Sequence, residues 1–331
     1  MATIDILIPT YNGQKVVTAT LKSILSQNYK DFNIIICDDA STDDTLNTIK
    51  KIKNKRIIVK QHTHNLGYPK NLERGRHYCH SPLLFLMGQD DILAKNCLKI
   101  YVNLFKQYPQ IGAITRPYFW FNQNICIPIR AKKQLNPQKN EIINITAASK
   151  KVISVFDTLD QLSGLAYRAK FFDTPFHPDI FPCHIYPFAS IFLKHPIVFL
   201  KDYTIAVRIE SSQSRHLSSI YTKSPLLSWY QMINHIFLSK PNIKKYLIED
   251  FVAKNYVGLL QIKNYSTYSN LIREILYLIK FRSQNLLSLS FWAFSLLSLL
   301  TPPILLIPLI SWYKKQLYAK TLTGIQFEYE L

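Results

Sequence analysis

The strongest constraint on the fold is the alternation of short apolar runs with helical patterns across the first 120 residues. The apolar runs have the length of strands and read IDILIP, FNIIIC, RIIV, PLLFLM and IGAIT. Between the first two runs, apolar residues recur every three or four positions, as on one face of a helix. That face consists of Val17, Leu21, Ile24 and Leu25. Strands that are apolar on both faces and separated by helices form parallel sheets covered on both sides. The pattern therefore predicts an α/β fold with a mostly parallel, Rossmann-like sheet.

Polar residues follow three of these runs at their carboxyl ends. Residues 9–12 (PTYN) follow the first run, Asp38 and Asp39 the second, and Asp90 and Asp91 the fourth. Parallel strands would bring all three exits to one edge, which is where such sheets bind ligands. Adjacent carboxylates repel each other, so this arrangement favours a bound cation or ligand donors. The alternative for Asp90 and Asp91 is an ordinary helix cap. Ser41 or Thr42 is expected to cap the second helix.

Composition narrows the class of partner. Forty Lys and Arg residues against 21 Asp and Glu give a net charge of +19, which favours an anionic partner such as nucleic acid, an anionic membrane or a phosphorylated substrate. No P-loop, G-x-G-x-x-G or aromatic–basic nucleic-acid motif is present, and the histidine pairs lack a further ligand at zinc spacing. Five cysteines without a CxxC pair fit a reducing cytosol, and we expect no signal peptide at the N-terminus.

Four segments together resemble the nucleotide-sugar-binding half of the family 2 inverting glycosyltransferases, which have the GT-A fold. They are IDILIPTYNG, LKSILSQNYKDFNIIICDDASTDDT, NLGYPKN and FLMGQDDIL. The resemblance is strong over residues 3–120 and continues weakly to about residue 210. It implies a bacterial enzyme of surface-polysaccharide synthesis that moves a sugar from a UDP- or dTDP-sugar to a glycan, with inversion, and that uses Mn²⁺ or Mg²⁺.

The resemblance also implies roles for individual residues. Those that would hold the nucleotide sugar are Pro9, Thr10, Tyr11, Asp39, Lys70 and Asp90. Within this set, Asp39 would accept a hydrogen bond from the pyrimidine base and Lys70 would face the phosphates. Asp91 would bind the metal that bridges the diphosphate.

This chain departs from the family pattern in two places. Many members have D-x-D-D where this chain has GQDD. Many also have an adjacent Glu-Asp pair in the second half, where the general base that inverting transfer requires is expected. Here the one such pair, Glu249 and Asp250, lies too late. His184 is nearest to the expected position and titrates near neutral pH; Asp179 is the second candidate, and either can be a structural loop residue. Gly164 is expected to leave room for the acceptor.

The missing Glu-Asp pair supports an alternative function, a catalytically inactive sugar-nucleotide-binding or membrane-assembly protein. A sugar nucleotidyltransferase is a further alternative, although it would be expected to have a glycine-rich loop after the first strand. The segment PTYNGQK contains a single glycine.

Residues 283–313 carry no charge, Pro302 and Pro303 interrupt them, and Lys or Arg flanks both ends. Basic flanks favour the cytoplasmic side, and the serines at 288, 295 and 298 make one side weakly polar. We therefore expect an interfacial or re-entrant hairpin on the inner leaflet at the cytoplasmic face, with a single span or a buried helix pair as alternatives. The predicted regions are 1–120, the nucleotide-sugar half; 121–215, the acceptor half; 216–283, a basic helical extension; and 284–331, an apolar membrane-associated segment and tail. The expected partners are the sugar donor, a glycan or lipid-linked glycan acceptor and this leaflet, without nucleic acid.

Overall fold

A computed structural model of the chain describes residues 2–209, 218–306, 308 and 322–331. The chain divides into two units. The first comprises residues 1–147, 154–211 and 320–331, and the second comprises residues 148–153 and 212–319.

Strands and helices alternate along the first unit, whereas the described part of the second contains helices. In the described residues the strands are β1 (Ile4–Thr10), β2 (Phe32–Asp38), β3 (Ile57–Gln61), β4 (Leu83–Leu86), β5 (Ile92–Leu93), β6 (Ala113–Thr115), β7 (Phe119–Phe121), β8 (Arg130–Ala131), β9 (Glu141–Ile143), β10 (Ala166–Arg168), β11 (Ile197–Phe199) and β12 (Ile205–Arg208). The α-helices are α1 (Val17–Leu25), α2 (Thr45–Lys50), α3 (Tyr68–Arg76), α4 (Cys97–Gln107), α5 (Ser149–Asp157), α6 (Ile185–Lys194), α7 (Pro225–Ile236), α8 (Pro241–Tyr246), α9 (Val257–Tyr265), α10 (Tyr268–Phe281) and α11 (Leu289–Leu300).

The larger sheet of the first unit has eight strands in the order β3-β2-β1-β4-β10-β6-β11-β9. β1 pairs in parallel with β2 on one side and β4 on the other, and β2 pairs in parallel with β3. This confirms the parallel arrangement predicted for these strands. β10 runs antiparallel to both β4 and β6, so the sheet as a whole is mixed. β10 was not predicted, because a strand of three residues is too short to show a periodic pattern in the sequence.

The apolar runs become strands because both faces of the sheet are covered. Ile4 and Ile8 of β1 are buried in the main apolar cluster, which also receives the predicted face of α1, with Leu25 at its margin. Leu7 is buried on the opposite face, where α3 packs closely against the sheet at Gly75. Removing this apolar surface from water is the main stabilising contribution to the unit.

A second sheet has the order β5-β12-β7-β8. β5 pairs antiparallel with β12, and β12 pairs in parallel with β7. Residues 87–91 connect β4 of the larger sheet to β5 of the smaller one. The aspartate pair at the end of FLMGQDDIL therefore lies at the junction of the two sheets.

Residues 322–331, called the tail below, pack on the first unit. Phe327 packs edge-on against Phe119, with ring centroids 5.0 Å apart, in an apolar cluster built from β5, β7 and β12. The backbone amide of Lys95 donates to the carbonyl oxygen of Glu328 at 2.8 Å. The tail is thus part of the first unit and is separate from the apolar segment with which the sequence analysis grouped it.

Within the part of the chain that the structure describes, no helix is both long and apolar enough to cross a membrane. α11 has 12 residues, which corresponds to a length of about 18 Å. The apolar segment predicted at 284–313 continues beyond α11, and its residues 307 and 309–313 lie outside the described range.

Candidate functional site

The three polar strand exits lie side by side at one edge of the larger sheet. β1 is flanked by β2 and β4, and Thr10 at the end of β1 lies opposite Asp38 at the end of β2. The backbone amide of Asp39 donates to the carbonyl oxygen of Thr10 at 2.8 Å, and that of Met87 to the carbonyl oxygen of Leu7 at 3.0 Å. The predicted meeting of these segments at a single edge is therefore confirmed.

Asp38 stabilises this edge from within. Its buried carboxylate accepts from the backbone amide of Ser41 at 3.0 Å and from the Ser41 hydroxyl at 2.5 Å. The Ser41 hydroxyl oxygen in turn accepts from the amide of Asn12 at 2.9 Å, and the amide of Thr42 donates to the Asn12 side chain at 2.8 Å. The predicted helix-capping role of Ser41 or Thr42 is wrong, because both residues join the exits of β1 and β2 while α2 begins after Asp44.

Asp39 holds the loop that precedes α3. Its two carboxylate oxygens accept from the backbone amides of Leu66 at 2.7 Å and Gly67 at 2.9 Å. Gly67 has a φ of 81°, a conformation that favours glycine. Each carboxylate oxygen has two lone pairs, so these bonds leave Asp39 able to accept a further donor, and its predicted contact with the base stays a prediction.

Gln89, at the variable position of the GQDD segment, joins the exit of β4 to the exit of β1. Its side-chain Nε2 donates to the carbonyl oxygen of Tyr11 at 2.9 Å, and its Oε1 accepts from the amide of Tyr11 at 3.0 Å. A carboxylate could not donate the first of these bonds. A Cβ at Gly13 would collide with the Gln89 side chain, so the pairing also depends on the glycine after PTYN.

Asp90 and Asp91 converge beside Gly88. A Cβ on Gly88 would lie 2.9 Å from Oδ2 of Asp91 and 3.1 Å from Oδ1 of Asp90, so the absence of a side chain lets both carboxylates approach this point. Asp91 is buried; its Oδ2 accepts from the Ser163 hydroxyl at 2.5 Å and its Oδ1 from the Arg208 amide at 3.0 Å. Burial, and then the charge of Asp90, raise the pKa of Asp91 to about 8.

This pair fits a divalent cation shared with a diphosphate. Mg²⁺ and similar hard cations take one or two protein carboxylates and complete their shell with phosphates and water. Each oxygen of Asp91 uses one lone pair in the bonds above and keeps another for a metal. Among residues 2–209, 218–306, 308 and 322–331, no group of three or more His, Cys, Asp or Glu could hold a metal by itself. His62, which is paired with His64 in the sequence, bonds to Oδ1 of Asn71 at 3.1 Å.

Arg116 organises the loop of residues 158–164 beside the aspartates. Its guanidinium donates to the backbone carbonyls of three loop residues, which are Thr158 at 3.1 Å, Gln161 at 2.9 Å, and Ser163. Gly164 has a φ of 85°, and a Cβ there would lie 2.7 Å from Nε of Arg116. The space at Gly164 is therefore filled by Arg116, and the expectation that it leaves room for the acceptor is wrong.

His184 contacts two segments near this edge, the loop of residues 158–164 and the start of α3. Its Nε2 lies 2.8 Å from the carbonyl oxygen of Leu159, in the loop that Arg116 organises, and its Nδ1 lies 3.0 Å from the hydroxyl of Tyr68. Because a carbonyl only accepts, Nε2 carries the proton and Nδ1 accepts from Tyr68. Burial lowers the pKa of His184 to about 4, so the ring is neutral at pH 7 and its basic atom is Nδ1.

Asp179, the second candidate for the base, is half-buried in the turn before α6. Its own amide donates to Nδ1 of His177 at 3.0 Å, and its Oδ1 accepts from the amide of Phe181 at 3.3 Å. These bonds stabilise the turn. The catalytic roles of both His184 and Asp179 stay predictions.

The other predicted nucleotide-binding residues lie along the same edge. Thr10 is buried, Pro9 and Tyr11 are half-buried, and Lys70 is exposed in the first turn of α3. Ser163, Arg116 and Arg208 are the neighbours of the aspartate pair that sequence reasoning missed.

Comparisons with known proteins agree with this arrangement. Residues 5–151 match the family model described as Glycosyl transferase family 2. Over 58 residues, 18% of this chain and 23% of the relative, the chain is 53% identical to the UDP-Glc:alpha-D-GlcNAc-diphosphoundecaprenol beta-1,3-glucosyltransferase WfaP of Escherichia coli. An uncharacterized glycosyltransferase of Haemophilus influenzae is 22% identical over 295 residues, covering 83% of this chain and 84% of the relative.

A solved structure shows the same fold. The crystal structure of S. aureus TarS 1-349 in complex with UDP-GlcNAc has a TM-score of 0.65 and 17% identity, and the match covers 97% of this chain and 90% of that one. By sequence, the match covers 23% of the length of WfaP and 18% of that of TarS. Residues 5–151 therefore form a glycosyl transferase family 2 domain, and the α/β, GT-A-like fold extends over most of the chain.

Proposed function

We propose that the chain is an inverting glycosyltransferase that moves a sugar from a uridine or thymidine diphosphate donor to a glycan acceptor. The observation that carries this proposal is the convergence of Tyr11, Asp39 and the Asp90–Asp91 pair at one sheet edge, with His184 connected to the same edge. The fold relative TarS was solved with UDP-GlcNAc, and WfaP acts, by its name, from UDP-Glc on a GlcNAc-diphosphoundecaprenol. Both support a UDP-sugar donor, and WfaP supports a lipid-linked acceptor.

In this proposal the residues at the sheet edge bind the donor. Pro9, Thr10 and Tyr11 hold the nucleoside, Asp39 accepts from the base, and Lys70 faces the diphosphate. Asp90 contacts the ribose or sugar. Together with Asp91 it would hold Mn²⁺ or Mg²⁺, which supplies charge neutralisation on the leaving diphosphate.

His184 would act on the acceptor. The acceptor oxygen forms its bond to the anomeric carbon on the face opposite the diphosphate, and the carbon–oxygen bond to the diphosphate breaks with its electrons going to the diphosphate. Nδ1 of His184 takes the acceptor proton, for which the Tyr68 hydroxyl must move aside, while the bond from Nε2 to Leu159 holds the ring. Neutral histidine is the form that a general base requires.

A catalytically inactive sugar-nucleotide-binding protein is the second candidate. It is favoured by the observation that both ring nitrogens of His184 already have partners within the protein. It is also favoured by the lack of a Glu-Asp pair in the expected stretch. Release of UDP from a UDP-sugar in the presence of an acceptor would exclude it.

The donor site can be tested by calorimetry with UDP, dTDP, GDP and ADP in the presence of Mn²⁺. We expect the pyrimidine diphosphates to bind at least about tenfold more tightly than the purine ones, and Mn²⁺ to strengthen binding. Lys70→Ala should weaken UDP binding by about fivefold, roughly 1 kcal/mol, through loss of a contact with the phosphates. Lys53→Ala, another exposed lysine, is the control and should bind as the wild type does. Equal affinity for purine diphosphates would contradict the assignment.

We further propose that the protein works at the cytoplasmic face of a membrane, where a lipid-linked acceptor would be presented. α11 supports this because the side that it exposes is apolar. Its large apolar residues Leu289 and Leu300 are 88% and 76% exposed, whereas Ser295 and Ser298 are 1% and 0% exposed. Continuous exposed apolar surface of this kind marks a contact with another protein or a membrane, and the surplus of 40 basic over 21 acidic residues favours anionic lipid.

The serine side of α11 is held inside the second unit. The α11 residue Phe291 is buried against the ring of Tyr256, with centroids 5.8 Å apart. The hydroxyl of Tyr268 donates to the carbonyl oxygen of Leu299 at 3.0 Å near the helix end. These contacts fix which side of the helix faces outward.

Replacing the exposed Leu289 and Leu300 of α11, together with Leu287, which is 88% exposed just before the helix, should detach the protein from membranes. We expect a triple variant, Leu287→Ser, Leu289→Ser and Leu300→Ser, to bind vesicles of phosphatidylglycerol and phosphatidylcholine at least tenfold more weakly in a sedimentation assay. The reason is that each substitution removes the favourable free energy of transferring a leucine side chain from water into lipid. Leu238→Ser, at another exposed leucine of the second unit, should pellet with vesicles as the wild type does. If the triple variant also pellets normally, the outward face of α11 does not hold the protein on lipid.

A further inference from the structure

A groove of about 280 Å³ lies between the tail and the second sheet. Its walls include polar, aromatic and apolar side chains, among them Phe121, Gln123, Asn124, Arg208, Tyr329 and Leu331. None of these residues was identified from the sequence as part of the site. The volume is at the lower end of that of small-molecule pockets, which suits a single ring better than a nucleotide.

The tail forms its wall of the groove through a strand-like alternation. Ile325, Phe327 and Tyr329 are half-buried and pack on the apolar cluster of the second sheet, while the residues between them are exposed. The bond from the Lys95 amide to the Glu328 carbonyl oxygen, 2.8 Å, fixes the register next to Tyr329. The orientation of Tyr329 at the groove therefore follows from the docking of its neighbours.

Arg208 connects the groove to the aspartate pair. Its backbone amide donates to Oδ1 of Asp91 at 3.0 Å, and its Nε lies 3.4 Å from the carbonyl oxygen of Asp90. Its guanidinium lies 4.6 Å from the ring centre of Phe121 and donates to the carbonyl oxygen of Asn122 at 3.2 Å. One residue thus contacts both the candidate metal site and the groove wall.

The chemistry of the walls matches a sugar ring. Side-chain amides such as those of Gln123 and Asn124 both donate and accept, as hydroxyl groups require of their partners. Aromatic side chains such as Tyr329 offer an apolar surface for the carbon–hydrogen face of a ring together with a polar tip. A guanidinium adds donors for ring oxygens or for a nearby anionic group.

We propose that this groove binds a sugar residue of the acceptor and that the tail completes it. The inference rests on the proposed glycosyltransferase function, because it places the acceptor in the groove, next to the donor that Asp90 and Asp91 would hold. It makes Gln123 and Tyr329 determinants of acceptor specificity that lie outside the donor site.

Acceptor binding can be measured apart from catalysis. The probe is α-GlcNAc diphosphate on a short alkyl chain, observed by saturation-transfer-difference NMR with UDP and Mn²⁺ present. We expect the ring protons of the probe to receive saturation from the wild type. Tyr329→Ala and Gln123→Ala should each reduce this signal more than fivefold. Gln326→Ala, an exposed tail residue outside the groove wall, should leave it unchanged.

Kinetics provide the second readout. Tyr329→Ala and Gln123→Ala should each raise the KM for the acceptor by about tenfold while the KM for the UDP-sugar stays within twofold. Unchanged probe binding in both groove variants would overturn the proposal, and so would an equal loss of UDP affinity. Failure of the transferase function would appear differently, as wild-type protein that does not transfer sugar or bind UDP, and the NMR comparison would still test the groove.

Discussion

Asp91→Asn is expected to reduce sugar transfer by several orders of magnitude without destabilising the metal-free protein. An amide oxygen is a poorer ligand than a carboxylate for a hard cation that faces a diphosphate, so stabilisation of the leaving group is lost. Asp90→Asn, at the neighbour that is only partly buried, should reduce transfer less. Turnover of both variants at saturating Mn²⁺ is the measurement.

The expected effect of Asp91→Asn on stability follows from the raised pKa of Asp91. Burial and the charge of Asp90 raise the pKa of Asp91 to about 8 in the folded protein, from about 4 for an aspartate in the unfolded chain. A carboxyl group whose pKa rises on folding favours the folded state at low pH, and this contribution is lost as pH rises from about 4 to about 8. Asparagine does not titrate, so in EDTA the Tm of the wild type should fall relative to that of the variant between pH 5 and pH 8.

A different outcome would identify Asp91 as a structural residue. If Asp91→Asn melts many degrees below the wild type at every pH in this range, its bonds to Ser163 and to the Arg208 amide are its main contribution. The convergence of the two carboxylates beside Gly88 would then have no metal-binding function.

His184→Ala is expected to reduce turnover by about 10²–10⁴, the usual contribution of a general base, while the affinity for UDP persists. Alanine also leaves the Tyr68 hydroxyl and the Leu159 carbonyl without their partner, so a loss of activity could arise from structure alone. His184→Gln separates the two causes, because its amide can donate to Leu159 but has no basic nitrogen. If His184 is the base, glutamine is as inactive as alanine.

The pH profile provides an independent check. Burial lowers the pKa of His184 to about 4, so the basic form prevails above that value. Wild-type turnover should be flat between pH 6 and pH 8 with respect to this group and should decline only as pH falls towards 4. If His184→Gln keeps most of the activity and Asp179→Ala loses it, the base is Asp179.

Local pattern in the sequence was sufficient to predict the edge of the sheet where the candidate site lies. The apolar runs that became β1, β2 and β4 were visible because a strand buried on both faces is continuously apolar. Their parallel pairing then required Tyr11, Asp39 and Asp91 to emerge at the same edge. The apolar face of α1 was likewise visible from its period, and three of its four residues are fully buried.

Contacts between residues far apart in the chain were decided only by the tertiary structure. Ser163 bonds to Asp91 across 72 positions and the Arg208 amide across 117 positions, and neither residue type carries a local signal of that role. The serines of α11 marked one side of the helix as weakly polar, but packing within the second unit decided that this side is the buried one. Helical and strand periods report which residues share a face. Which element covers that face depends on how the chain connects its elements and on the apolar area buried over the whole unit. Residues 322–331 pack on the second sheet for that reason.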